Sequence, residues 1–204
     1  MKKFKLSEIA EVVQGNILTR IKPNSQFDET VELDSISMQE LSYIVGISNV
    51  SDNHGKIKIL KNKKDSCVLT RQKDIVVGLS SKKAFVVEEH RSNCLVLSNF
   101  ALVRINDLNV LDPYYFCWLL NDDLQFHKYI DQKTQGSANV IILSINNLKD
   151  IELELPNIDK QRLIGKIYEL GRLRDRISQQ LFEKTKLVRN YNLMKYNKGD
   201  KKYE

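Results

Sequence analysis

The chain has 204 residues, 42% of them hydrophobic, which is enough for one domain with a real core plus an appendage and argues against a disordered chain. Its net charge of +6 and pI near 9.1 favour a polyanionic partner. Its three widely spaced cysteines suit neither a disulfide framework nor a metal site, and no apolar run predicts a signal peptide or a membrane span, so we expect a cytoplasmic protein.

The N-terminal stretch predicts a short helix followed by a polar loop. Ser7 is placed to cap this helix, because its hydroxyl can accept from an amide of the first turn. Ile9, Val12 and Val13 would face inward, and Gly15 would end the helix.

Between residues 43 and 105 the sequence changes to short runs rich in Val, Ile and Phe, separated by turn-forming residues. The runs are YIVGISNV (43–50), CVLT (67–70), DIVVGL (74–79), AFVV (84–87), CLVL (94–97) and ALVRI (101–105). Their length and spacing predict a small, curved, mainly antiparallel sheet.

Charge is segregated along the chain. Residues 23–55 contain six acids and no Lys or Arg, whereas residues 56–83 contain nine Lys or Arg against two acids. Residues 159–204 are also basic, with 13 Lys or Arg against six acids. Such segregation favours a polyanionic partner, and a solvated lysine-rich loop is the alternative.

The tetrapeptide from Asp112 to Tyr115 predicts the start of another helix, because aspartate caps a first turn and Pro113 is compatible with its first position. It also resembles the Asp-Pro-Pro-Tyr motif of amino-methyltransferases, but Tyr114 replaces the second proline. The sequence also has no Gly-rich loop that could hold a nucleoside cofactor. We therefore predict no catalytic residue and no metal site.

The C-terminal part shows a strand that leads directly into a long helix. Ile151, Leu153 and Leu155 alternate with acids, Pro156 ends this pattern, and a helical period follows. We expect Asp159 to cap the helix, because a carboxylate suits the positive end of the helix dipole. Without an interrupting proline the helix would extend about 55 to 60 Å.

A seam of residues spaced alternately four and three apart follows this helix, and such spacing is typical of a coiled coil. Arg174 and Lys184 are its polar members, and we expect them to specify register or helix orientation. Packing of the helix on its own domain is the alternative. Gly165 and Gly171 weaken a helix, and close approach of another backbone is one reason for their presence. The seam consists of Leu163, Ile167, Leu170, Arg174, Ile177, Leu181, Lys184, Val188 and Tyr191.

The strand ending at Pro156 and the sequence NIDKQRLI after it resemble the conserved region of type I restriction-modification specificity subunits. Those proteins carry a Leu-Pro step, then Gln and Ile, before a spacer helix. The sequence QGSAN at 135–139 and the following LSINNLKDIEL are similar to the end of the family's target recognition domain. Leu6, Ile9 and Gly15 resemble its opening. Family members usually have two recognition domains and two spacer helices in about twice this length.

The resemblance implies a non-catalytic specificity subunit of half length with an α+β fold. We expect a recognition domain of short helices and curved sheet at 1–155, a spacer and dimerisation helix at 156–198, and a disordered tail at 199–204. Two copies joined by an antiparallel coiled coil would read two inverted half-sites in double-stranded DNA. The implied partners are methyltransferase subunits and a restriction (translocase) subunit, which would hold the S-adenosylmethionine, ATP and Mg.

Candidate DNA contacts fall into two chemical sets. Cations suited to phosphates are Lys56, Lys58, Lys61, Lys63, Lys64, Lys82 and Lys83. Side chains suited to base edges are Asn16, Arg20, Arg71, Gln135, Ser137 and Asn139. Three alternatives stay open: a coiled-coil adaptor that binds only protein, a split-gene fragment that pairs with another specificity chain, and, least favoured, a DNA methyltransferase.

Overall fold

The computed structural model describes residues 2–47, 55–134 and 142–199. Within these ranges the fold is α+β, as predicted, with small open antiparallel sheets and a long C-terminal helix. The strands are β1 Lys2–Lys5, β2 Ala10–Gln14, β3 Thr30–Ser35, β4 Gly55–Leu60, β5 Ile75–Gly78, β6 Ala84–Val86, β7 Phe100–Ile105 and β8 Glu152–Leu155. The α-helices are α1 Leu6–Ile9, α2 Leu18–Ile21, α3 Met38–Ile44, α4 Pro113–Asn121, α5 Leu124–Thr134, α6 Ile145–Lys149 and α7 Ile158–Gly199, and 3₁₀ helices span Lys61–Ser66 and Glu89–Arg91.

The central sheet has the strand order β2-β7-β5-β6 and is antiparallel throughout. Successive side chains of a strand point to opposite faces, and every residue of β5 is buried. Ile75 and Val77 pack in a core with Phe116 of α4, while Val76 packs in a second core with Leu41 of α3. Helices therefore cover both faces of this sheet.

The predicted strand-to-helix junction is confirmed. β8 pairs antiparallel with β1 at the N-terminus of the chain, in a register that places Lys2 opposite Leu155. α7 then begins at Ile158 and contains 42 residues, so its length is about 60 Å at the usual rise per residue. No helix in the described ranges is both long and apolar enough to cross a membrane.

Two predicted helix caps had different outcomes. Asp112 caps α4 as predicted, since its carboxylate accepts from Tyr115 N at 2.9 Å. The prediction that Asp159 caps α7 is wrong, because Asn157 precedes the helix and its Oδ1 accepts from Lys160 N at 3.0 Å. Asp159 lies in the first turn instead, where a carboxylate still suits the helix dipole.

The N-terminal helix is shorter than predicted. It ends at Ile9, and its N-cap residue is Lys5, whose backbone N donates to Glu8 Oε2 at 2.9 Å, so Ser7 is not the cap. Val12 lies on β2, where it pairs with Val103 of β7. Pairing with a buried strand outweighs helix periodicity here, as expected for β-branched residues.

The sheet was predicted only in part. Runs 74–79, 84–87 and 101–105 contain β5, β6 and β7, whereas runs 67–70 and 94–97 form only isolated bridges such as Leu69 to Leu95. The run 43–50 is not a strand where it is described: Tyr43 and Ile44 end α3, and residues 48–50 lie outside the described ranges. β3 and β4 were missed, although apolar residues alternate with acids in β3 and with lysines in β4.

Gln161 fastens the first turns of α7 to the domain. Its buried side chain donates from Nε2 to Val110 O at 3.0 Å and to Pro156 O at 2.9 Å, and its Oε1 accepts from Asp112 N at 3.1 Å. Removal of this amide would leave buried polar groups unpaired, at a cost of roughly 1–3 kcal/mol each. The residue therefore fixes where the long helix leaves the domain.

Asn121, at the C-terminal end of α4, provides a second anchor. Its Oδ1 accepts from Ala84 N at 2.8 Å and its Nδ2 donates to Ala84 O at 2.7 Å, which joins α4 to the edge of β6. The same Nδ2 lies 2.6 Å from the hydroxyl of Tyr168 on α7. The pKa of Tyr168 is raised to about 12, mainly by burial, so its hydroxyl stays protonated.

Two further contacts extend the anchoring along α7. Arg172 donates from Nη1 to Val45 O at 2.8 Å and from Nη2 to the carboxylate of Asp122. Gln180 Nε2 donates to the hydroxyl of Tyr43 at 2.7 Å. The proximal half of α7 is thus held against α3 and α4 by side chains spaced along one face.

Gly165 and Gly171 of α7 provide the first testable prediction. A Cβ at Gly165 would clash with Asp112 Oδ1 and lie 3.0 Å from Tyr115 N, whereas a Cβ at Gly171 meets nothing within 4 Å. We expect Gly165→Ala to destabilise the protein by about 1–3 kcal/mol through overpacking. Gly171→Ala should instead stabilise the helix by up to about 1 kcal/mol.

Urea unfolding followed by circular dichroism, at one protein concentration for both variants, measures these changes. Gly171→Ala is the matched control, since it makes the same change in the same helix at an open position. Equal effects of the two substitutions would contradict the assignment of Gly165 to close packing on α4.

Candidate dimerisation helix and nucleic-acid surface

Every residue of the predicted seam is exposed in the single chain. Leu163, at one end, is 62% exposed and Tyr191, at the other, is 67% exposed. Water contact with a continuous row of large apolar side chains is unfavourable, and such rows mark interaction sites. Within the described ranges, the domain therefore leaves the seam open to solvent.

The seam and the anchoring residues lie on opposite sides of α7. An α-helix rotates by about 100° per residue, which places Gln161, Tyr168 and Arg172 about 180° from the centre of the seam.

The proximal half of α7 does pack on its own domain, which was the alternative to a coiled coil. It does so through a face other than the seam. Contacts with the domain reach the seam only at its edge, where Ile167 lines a groove with Trp118 and Gln180 contacts Tyr43.

The distal half of α7 is exposed on every face, since all side chains from Lys184 to Asn197 are exposed. Sequence reasoning counted only the seam and missed further apolar residues on its flanks. A count of apolar side chains over all helical positions would have found them. The additional exposed residues are Leu173, Phe182, Leu187, Leu193, Met194 and Tyr196.

The acidic and basic stretches of the sequence lie side by side on β3 and β4. These strands pair so that Glu32 is opposite Lys58 and Asp34 is opposite Lys56. Lys56 Nζ is 3.5 Å from Glu32 Oε2. Opposite charges across a strand pair partly neutralise one another, so this face is less suited to phosphate than the sequence segregation suggests.

Lys82 and Lys83 make contacts within the domain. Lys82 Nζ is 2.6 Å from Asp131 Oδ1, and Lys83 Nζ donates to Asn121 O at 2.6 Å. Burial lowers the pKa of Lys83 below its usual range. The sequence predicts both residues as DNA contacts. In the structure they instead tie the turn between β5 and β6 to α5 and α4.

Exposed cations lie on and after the 3₁₀ helix that follows β4. Lys61 pairs with Glu29 at 3.0 Å, whereas Lys63, Lys64 and Arg71 form no ion pair within the described ranges and are exposed. Lys64 and Arg71 line one groove of about 440 Å³. These three side chains are the best placed of the predicted set to meet a phosphate backbone.

The residues predicted to read base edges are dispersed. Asn16 uses its Oδ1 to accept from Val68 N at 2.7 Å, which ties the loop after β2 to the chain near β5. Arg20 is exposed on α2. Gln135, Ser137 and Asn139 lie outside the described residues.

The thiols of the domain are poorly suited to nucleophilic chemistry. Burial raises the pKa of Cys94 to about 11, and burial likewise raises the pKa of Cys117. Among the residues that the structure describes, no group of three or more His, Cys, Asp or Glu side chains could hold a metal ion.

Comparison of this arrangement with solved structures identifies the fold. A chain from a structure on complex assembly and conformational transition of the type I R-M system matches with a TM-score of 0.54 and 12% identity, over 92% of this chain and 42% of that one. The HsdS subunit from Thermoanaerobacter tengcongensis matches with a TM-score of 0.51 and 14% identity, over 88% of this chain and 39% of that one. The fold is that of a type I specificity subunit.

No protein-family model and no curated protein matches the sequence. The chain spans about two fifths of the length of the two specificity-subunit structures it resembles. The likeness therefore establishes the specificity-subunit fold, and the activities and partners of those proteins are proposals for this chain.

The exposed cations of this specificity-subunit fold support a prediction about DNA. We expect the double substitution Lys63→Gln and Lys64→Gln to weaken binding to all duplexes alike. Lost phosphate contacts should reduce the slope of log affinity against log salt by roughly 0.9 each. Fluorescence anisotropy with target and random duplexes over a salt series measures both effects.

Lys56→Gln is the matched control, because it removes a cation that already faces Glu32. This variant should keep the wild-type slope to within the error of the measurement. A double variant with an unchanged slope would identify Lys63 and Lys64 as a solvated face.

Proposed function

We propose that this chain is the DNA sequence-recognition subunit of a type I restriction-modification complex and acts as a homodimer. The observation that carries the proposal is the exposed seam on a helix that is anchored at its base to a domain of the specificity-subunit fold. The seam requires a partner helix, and a second copy supplies an identical seam.

The polar seam residues favour antiparallel pairing. In a parallel, in-register dimer Arg174 would meet Arg174 of the second copy, and Lys184 would meet Lys184. Like charges repel at close range in a partly buried layer. The parallel dimer would therefore contain two repulsive layers. Antiparallel pairing removes each residue from the layer of its identical counterpart.

An antiparallel pair places the two recognition domains at opposite ends of the helices. Because the dimer is isologous, the two domains would present the same reading surface to inverted, identical half-sites. The rigid helix of about 60 Å and its anchors would then set the spacing between the half-sites. In this arrangement α7 sets the spacing and symmetry of the two half-sites. The recognition domain determines which bases are read.

The chemistry in this proposal belongs to partner subunits. Methyltransferase subunits would supply S-adenosylmethionine, and a restriction subunit would use ATP and Mg, with all of them in the cytoplasm. The role of Asp112 as a helix cap supports a structural reading of the Asp-Pro-Tyr-Tyr sequence. The isolated chain should neither methylate nor cleave DNA.

The dimer is tested by charge substitution at its centre. Ile177→Asp together with Leu181→Asp would bury unpaired carboxylates between the helices, so we expect monomers. Analytical ultracentrifugation across micromolar concentrations measures the change. Ile177→Leu with Leu181→Ile is the matched control and should remain dimeric, because it conserves apolar volume.

Recognition is tested by mapping methylated adenines in cells that express this chain with a methyltransferase subunit. We expect methylation at a split site with two identical, inverted halves. Methylation at two unlike halves would indicate pairing with a different specificity chain. A dimer that shows no salt-sensitive retention on duplex DNA would favour the protein-binding adaptor.

A further inference from the structure

Phe27 is the most exposed of the large hydrophobic side chains in the described ranges, at 96% exposure. Single apolar residues on a surface are common, but the loop that carries Phe27 is fixed by its own side chains. Asp28 Oδ2 accepts from Asn24 N at 2.8 Å and from Ser25 N at 2.9 Å. The hydroxyl of Ser25 in turn accepts from Phe27 N at 3.2 Å. A preformed turn therefore holds this aromatic ring in water.

The turn with Phe27 lies at one end of the β3–β4 ribbon. Thr30 begins β3 opposite Leu60, which is the last residue of β4. Lys61 N donates to Glu29 O at 2.9 Å, and Lys61 Nζ pairs with the Glu29 carboxylate at 3.0 Å. The turn is thereby joined to the start of the 3₁₀ helix that follows β4.

α2 leads directly into this turn and packs on the same ribbon. Ile21 of α2 shares a small buried core with Ile59 of β4. Arg20 and Lys22 flank Ile21 and are exposed, and neither forms an ion pair within the described ranges. α2 therefore adds two open cations to the two that the 3₁₀ helix carries.

The acids of this region do not cancel its positive charge. Residues 16–29 and 61–66 contain five Lys or Arg against three acids. Asp28 accepts from amides of the turn and Glu29 faces Lys61, so both carboxylates are engaged within the protein. Asp65, on the 3₁₀ helix, is the third acid. The end of the ribbon therefore combines an exposed ring with a net positive charge.

Duplex DNA offers a partner for both features. Its phosphates attract cations, and an apolar side chain such as Phe can enter between two stacked base pairs. Opening a base step requires a ring on a fixed support, which the turn supplies. A protein partner fits less well, because the centres of protein interfaces are depleted in charged residues and in Lys in particular.

We propose that Phe27 is an apolar wedge that enters a base step of bound duplex DNA, while Arg20, Lys22, Lys63 and Lys64 contact the flanking phosphates. The inference rests on the proposed DNA-recognition function and deepens it. Insertion partly unstacks and kinks the duplex. Pyrimidine–purine steps unstack most readily, so they would be preferred where the ring enters.

The substitution Phe27→Ala separates a wedge from a phosphate contact. The probe is a duplex that the wild-type chain selects from a random pool, and fluorescence anisotropy over a salt series measures its affinity. We expect affinity to fall at least fivefold at every salt concentration. The slope of log affinity against log salt should stay unchanged, because no cation is lost. Lys63→Gln with Lys64→Gln should instead reduce the slope.

Leu124→Ala is the matched control. Leu124 is a large apolar side chain of the same domain with 73% exposure, and it lies on α5, whose inward residues pack in a different core. This variant should change affinity less than twofold. Because Phe27 is almost fully exposed, both variants should keep the wild-type urea midpoint, which circular dichroism measures.

Fluorescence of Phe27→Trp reports directly on stacking, since contact with a base quenches indole emission. The wild-type chain contains Trp118 alone, so its emission is recorded in parallel and subtracted. We expect Phe27→Trp to bind the duplex as well as wild type to within about threefold. Its added emission should fall by more than half when the duplex saturates the protein.

The outcomes separate this inference from the proposed function. A wild-type chain that selects no duplex and shows no salt-sensitive retention on DNA overturns the recognition function and the wedge together. DNA binding that Phe27→Ala leaves unchanged overturns the wedge while the recognition function stands. Emission of Phe27→Trp that saturating duplex does not quench has the same meaning. Loss of binding to a methyltransferase subunit in Phe27→Ala, with DNA binding intact, would identify a protein contact and also overturn the wedge.

Discussion

The arrangement of the molecule depends on the buried amide of Gln161. It satisfies two carbonyls and one amide where the chain passes from sheet to helix, and no apolar side chain of similar size could do so. Because the helix it holds is about 60 Å long, a tilt of about 10° at the base would move the far end by roughly 10 Å. Anchors at Tyr168, Arg172 and Gln180 reduce that freedom. In the proposed homodimer, local hydrogen bonds would thereby set the spacing between the two recognition surfaces.

The distribution of charge along the sequence differs from its distribution on the folded surface. An acidic stretch precedes a basic one along the chain, yet β3 and β4 bring the two together, and Lys56 faces Glu32. Composition predicts a basic surface, whereas strand pairing cancels much of it. The open cations Lys63 and Lys64 follow β4, where the neutralising strand has ended.

Several elements that depend only on neighbouring residues were predicted from the sequence. The strand before Pro156, the cap at Asp112 and the long helix α7 follow from short-range rules of alternation, capping and helical periodicity. Predictions failed where a distant segment decides the outcome, as for Val12, whose strand exists because β7 lies beside it. The groove with Lys64 and Arg71 and the anchor at Gln161 could not be predicted, since each depends on segments brought together only by the tertiary fold.

The complete exposure of α7 from Lys184 to Asn197 affects the stability of this segment in a cell. A helical segment without tertiary contacts gains little free energy beyond its intrinsic propensity, and short isolated helices are marginal in water. In the proposed homodimer the helicity of this segment would rise with protein concentration, as association supplies the missing contacts. If the chain assembles as proposed, unassembled copies below that concentration would present a fraying, apolar segment to proteases, and assembled copies would be protected.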